Sequence, residues 1–253
     1  MVDKSRKRER QAVLEELRQK QRRTARRRVF LVVGVAVAVA ATIVGFALYR
    51  IHQDNARQAA FDKLPLDGIG APASSCGEIT TQKTDGSHEH VKIDSQVTYD
   101  TAPPAYGTHW SQENVAPAPF ATKFYTEEDR PELEALVHNL EHGYTILWYD
   151  ESVADSDQLD DVRGIAEKFR ADGENYRLKF IAVPWTAADE EESGTFPDGM
   201  HVALSHWSAG GSGETDVDKE RGVFQYCGEP SGAAVKDFMA KYPYTDSSEP
   251  DAP

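Results

Sequence analysis

For 21 consecutive positions, Val29 to Tyr49, the chain carries no charged side chain, and no other feature limits its fold as much. A helix over that run would be roughly 31 Å long, the thickness of a bilayer's hydrocarbon core. Tyr49 and Arg50 suit an interfacial end, with an aromatic ring and a snorkelling cation. The run therefore reads as one transmembrane helix over 29–49, with the bilayer as its partner. A cleaved signal peptide is the rival, but the apolar run and the basic stretch ahead of it are both long for one.

Charge divides at the same place. Residues 1–28 hold twelve lysines and arginines against four acidic residues, a net of +8, which leaves −22 on the remainder of a chain whose total is −14. The arginines at 22, 23, 26, 27 and 28 would keep the N-terminus cytoplasmic and send the acidic part outward, a single-pass cell-membrane topology. Orientation and anionic lipids account for this cluster without any nucleic acid. So acidic an outer part also excludes phosphate backbones as its partner.

Cys76 and Cys227 are the only cysteines. Both fall outside the membrane on this topology, where an even pair forms a disulfide most simply. Pro65, Gly68, Gly70 and Pro72 break the chain after the span, so 50–75 reads as a stalk and 76–243 as one extracytoplasmic domain. The polar end, 244–253, reads as a disordered tail.

Within the domain, Pro131 and the acidic residues near it suit a helix start, predicting a helix over about 129–142. Strand 144–149, a helix at about 155–171, a strand at 178–183, strands near 201–207 and 222–227, and a helix at about 231–241 follow. This order predicts an α+β domain with a mixed sheet and three helices. A thioredoxin-like arrangement shares the order, in topology only, because no Cys-x-x-Cys occurs. The acidic run 189–192 reads as a solvated loop, and His201 and His206 as sheet residues.

Residues 138–142 read His-Asn-Leu-Glu-His, followed by Gly143. On a helix, His138 and His142 share one face about 5–6 Å apart at Cβ, and glycine suits the left-handed position that closes it. Two such imidazoles supply half of a tetrahedral zinc or copper site, and His88, His90 and His109 could supply more. The same letters satisfy His-x-x-Glu-His, a zinc-peptidase signature in which Glu141 would be the general base. That chemistry needs another acidic ligand on a later helix, whereas Gly143 ends this one at once. Glu141 is better read as a residue that orients a histidine ligand.

His90-Val91, Tyr99, Pro103-Pro104 with Gly107 and His109, and Val137-His-Asn-Leu-Glu-His-Gly143 resemble the bacterial domain of unknown function 3105 family over about 88–243. Its members resemble this chain in placing one membrane anchor ahead of the domain. The resemblance groups His90, His109, His138, Glu141 and His142 and leaves His88 outside; it implies no activity. The expectation is a membrane-anchored protein binding copper or zinc through His138, His142, His109 and His90. The alternative is a non-catalytic accessory subunit of a membrane complex, such as a respiratory one, with the histidines organising loops.

Overall fold

The computed structural model describes residues 33–53, 56, 59–171 and 173–253. The basic segment 1–28 and the first four residues of the apolar run lie outside these. The chain divides into two compact units at Ala59/Ala60.

In the first unit, helix α1 (Val33–Gln53) has a mean hydropathy of 1.9 and is long and apolar enough to cross a membrane. A signal sequence would have the same character.

The second unit is α+β, with a mixed five-stranded sheet. Its strands are β1 (Thr80–Lys83), β4 (Thr145–Tyr149), β5 (Phe180–Pro184), β6 (Val202–Ser208) and β7 (Arg221–Cys227), in the order β1-β7-β6-β4-β5. Only β4 and β5 pair in parallel; the other neighbours are antiparallel. Every residue of β4, β5 and β6 is buried, so both faces are covered and alternate residues enter different cores. Leu147 and Tyr149 face helices α4 (Gln158–Glu167) and α6 (Gly232–Lys241), where Val162, Ile165, Val235 and Phe238 pack. Ile146 and Trp148 face helix α2 (Leu133–Glu141), with Leu136, Val137 and Leu140. All nine residues of α2 are buried, which puts its polar side chains in enclosed surroundings.

The three expected helices correspond to α2, α4 and α6, but the helix count was too low. Helix α3 (Glu151–Ala154) forms where the Asp150 side chain accepts from the Val153 amide. Helix α5 (Ala187–Ser193) replaces the expected acidic loop. Thr186 and Asp189 form a capping box, and buried Asp189 takes two hydrogen bonds from Arg130, at 2.8 and 3.1 Å.

Two boundary expectations also change. The chain from Phe61 onward, expected in the stalk, already packs on the domain: Ile69 is buried in the α4/α6 core, with Phe61, Leu66 and Ala73 against it. Residues 244–253, expected to be disordered, fold back on the domain as a strap, with Asp246 and Ser247 buried. Buried Lys179 holds the strap by donating to the carbonyls of Pro250 and Ala252 at 2.9 and 2.6 Å. The Cys76–Cys227 disulfide is formed. It ties the entry of the domain to the end of β7.

Candidate metal centre

A two-residue strand pair builds one wall of the site. Strands β2 (His90–Val91) and β3 (His109–Trp110) pair in parallel, with His90 opposite His109. Side chains opposite one another in a strand pair point to the same face, and the two imidazole centroids lie 4.7 Å apart. Helix α2 supplies the other wall. His138 donates from Nδ1 to the Trp110 carbonyl at 2.6 Å, and its ring lies 4.9 Å from His109 and 5.2 Å from His90.

His90, His109, His138 and Glu141 each place one ligand atom within 4.8 Å of all the others. The tautomers favour coordination. His109 donates from Nδ1 to the Gly107 carbonyl at 2.8 Å, as His138 does to Trp110, so each Nε2 keeps its lone pair and faces inward. This is the usual support of a metal-bound histidine. His109 Nε2 is fully buried and has no hydrogen-bond partner. It lies 2.9 Å from Glu141 Oε2, but without hydrogen-bond geometry. A buried lone pair facing a carboxylate is costly unless a cation lies between them.

Electrostatics hold the groups in ligating forms. Burial pushes His138 down to about 4, so it is a neutral imidazole at neutral pH. His88 stacks on Trp207 at 4.7 Å and bridges Glu141 (2.5 Å) and Glu220 (2.9 Å). The hydrogen bond to Glu141, with Glu220 adding to it against the effect of burial, raises His88 to about 9.

The predicted residues are thus redistributed. His90, His109 and His138 converge, but His142 does not join them in one set. It falls in a second group with Glu141 and Glu249. Glu141 is itself a member of the first group and not merely an orienting residue. His88, outside the family pattern, grips Glu141 from the far side. Glu220 and Glu249 carried no sequence signal, one lying in a turn before β7 and the other in the supposed tail. His201 and His206 remain apart from the site. His206 sits between the carbonyls of Tyr144 and Asp246, at 3.0 and 2.9 Å.

Each remaining letter of the motif has its own task. Asn139 pairs with both backbone groups of Ala118, accepting at 2.8 Å and donating at 3.0 Å, which fastens the preceding loop to α2. Leu140 is buried in the core. Gly143 has φ +91°, and a Cβ there would lie 2.3 Å from the Tyr244 carbonyl oxygen, so glycine allows both the turn and the strap.

A family model described as Protein of unknown function (DUF3105) matches residues 90–252, a range that takes in both groups of candidate ligands. No curated protein and no solved structure matches the chain.

Proposed function

Because the chain belongs to a family whose description assigns no activity, Protein of unknown function (DUF3105), we propose its function from the site alone: a membrane-anchored, extracytoplasmic protein that binds copper or zinc. The ligands are His90, His109, His138 and Glu141. The observation that carries this reading is the buried, unpartnered Nε2 of His109 facing the Glu141 carboxylate.

Three imidazole nitrogens and one carboxylate oxygen suit borderline ions such as zinc or copper(II) better than magnesium or calcium, which take oxygen ligands. Four protein ligands complete a tetrahedral zinc shell. That favours holding or delivering an ion over hydrolysis. The His90 side chain is 45% exposed, so the ion would be within reach of solvent and of a receiving partner. Helix α1 serves as the anchor in this reading, with the domain outside, where the Cys76–Cys227 disulfide is at home.

A zinc-peptidase reading would need His138 and His142 on one ion with Glu141 free as base. Glu141 instead lies among the ligands of the first group. An accessory-subunit reading, with purely structural histidines, would need a proton on His109 Nε2 to pair it with Glu141, and the two lack hydrogen-bond geometry. The test is elemental analysis of the full chain, purified in mild detergent and reconstituted with copper or zinc. At least one tightly held ion per chain is expected, lost in His109→Ala and held at least tenfold more weakly in the exposed variant His90→Ala. A wild-type chain that retains neither metal would sink the proposal.

A further inference from the structure

Beside the first group, on the same helix end, is a second. Glu141, His142 and Glu249 also place one ligand atom each within 4.8 Å of the others. Buried His142 donates from Nδ1 to the Pro253 carbonyl at 2.8 Å, so its Nε2 lone pair faces outward to Glu249 Oε2, 3.4 Å away. The tautomer is fixed in the same way as at His109 and His138. The rings of His138 and His142 are 4.5 Å apart, which makes the two groups immediate neighbours. Among the described residues, no lysine or arginine ion-pairs with Glu141 or Glu249.

A cavity of about 280 Å³ opens next to this group, lined in part by His88, Glu141, Glu214, Glu220, Ser248 and Glu249; His88 bridges Glu141 and Glu220, and Lys219 pairs with Glu214. Four carboxylates against the His88 and Lys219 cations leave a net negative field, which concentrates cations at the cavity's mouth. Glu249 stands at that mouth, with its side chain 49% exposed.

We propose that Glu141, His142 and Glu249 form a second divalent-cation position, and that the Glu141 carboxylate is shared between two ions while its Oε1 also accepts from His88. The inference rests on the first site's being a metal site. The inner ion has four protein ligands and the outer ion three, one of them half in solvent. The outer position is therefore the weaker, completes its shell with water, and exchanges through the acidic cavity. The strap is what makes it a site, because Glu249 arrives on residues that Lys179 and Gly143 hold against α2.

The experiment titrates zinc ions into the full chain in mild detergent, against a chromophoric chelator, with elemental analysis at saturation. Two zinc ions per chain are expected, the second bound at least tenfold more weakly. In Glu249→Gln, which keeps the backbone bond from the Glu249 amide to the Glu141 carbonyl, only the tight ion remains. His142→Ala also keeps one, and His109→Ala loses the tight ion. A wild type that saturates at one ion, lost in His109→Ala, overturns the second position and leaves the first standing. Two ions retained in Glu249→Gln overturn it as well, and no ion in the wild type overturns both.

Discussion

Replacing Lys179 by methionine removes a charge while keeping a long unbranched side chain, and it should loosen the strap without unfolding the domain. Lys179 Nζ donates to the carbonyls of His142 (2.7 Å), Pro250 (2.9 Å) and Ala252 (2.6 Å), with the Tyr176 ring 4.3 Å away. The two charge-assisted bonds that reach the strap contribute about 3–6 kcal/mol in total. Opposing this, burial pushes the Lys179 pKa from 10.5 to about 8, which costs about 3 kcal/mol at neutral pH. The difference spans about 0–3 kcal/mol; the upper half is the better guide, since methionine leaves both strap carbonyls without a donor while the strap is closed. A loss of about 2 kcal/mol raises the open fraction of the strap roughly 30-fold. Hydrogen–deuterium exchange of a peptide covering 244–253 would read this directly through the amides of Glu249 and Ala252, both hydrogen-bonded in the wild type. Amides in β4 serve as the internal control. Exchange of the strap within threefold of wild type would refute the assignment of Lys179 as its clamp.

Two further outcomes follow from the same geometry. Asn139→Ala strands the amide and carbonyl of Ala118 and should lower stability by about 2–4 kcal/mol; a change under about 0.5 kcal/mol in a denaturant titration would contradict the fastening role. His88 has a folded pKa raised above its unfolded value, so its stabilising effect is complete below about pH 6.5 and is lost as pH climbs through about 9. With the His88 side chain 27% exposed, metal-free wild type should exceed metal-free His88→Gln by about 1–3 kcal/mol at pH 6. The gap should close above pH 9, and a gap that stays constant across that range would count against the Glu141–His88–Glu220 bridge.

Where a segment's own periodicity decides its fate, the sequence was readable. Strand β4 is an unbroken run of apolar and aromatic residues, and α4 and α6 carry apolar residues at helical spacing. The mixed α+β character followed from those elements. The site was only half legible, for a physical reason. Helical spacing announced His138, whereas Glu141, three residues on, was read as an orienting residue and not as a ligand. His90 meets His109 through a two-residue strand pair too short to leave a periodic trace. His142 looked like a partner of His138 because helical spacing puts them on one face; the Pro253 carbonyl turns its ring toward the strap instead. Glu249 was hidden by composition. Ser-Ser-Glu-Pro-Asp-Ala-Pro cannot build a core of its own, and its order comes from a lysine and a glycine far away in the chain.

The six residues from His138 to Gly143 answer to six different neighbours: the Trp110 carbonyl, the backbone of Ala118, the apolar core, the His88 and His109 rings, the Pro253 carbonyl and the Tyr244 carbonyl. Two of these constraints meet on β3, at His109 and Trp110, and two on the strap, at Tyr244 and Pro253. A substitution in the block must be answered at a place distant in the chain, so the block can drift only if several remote segments drift with it. For such a stretch, mutational tolerance is governed less by the helix that contains it than by the number of independent strands of chain that meet there.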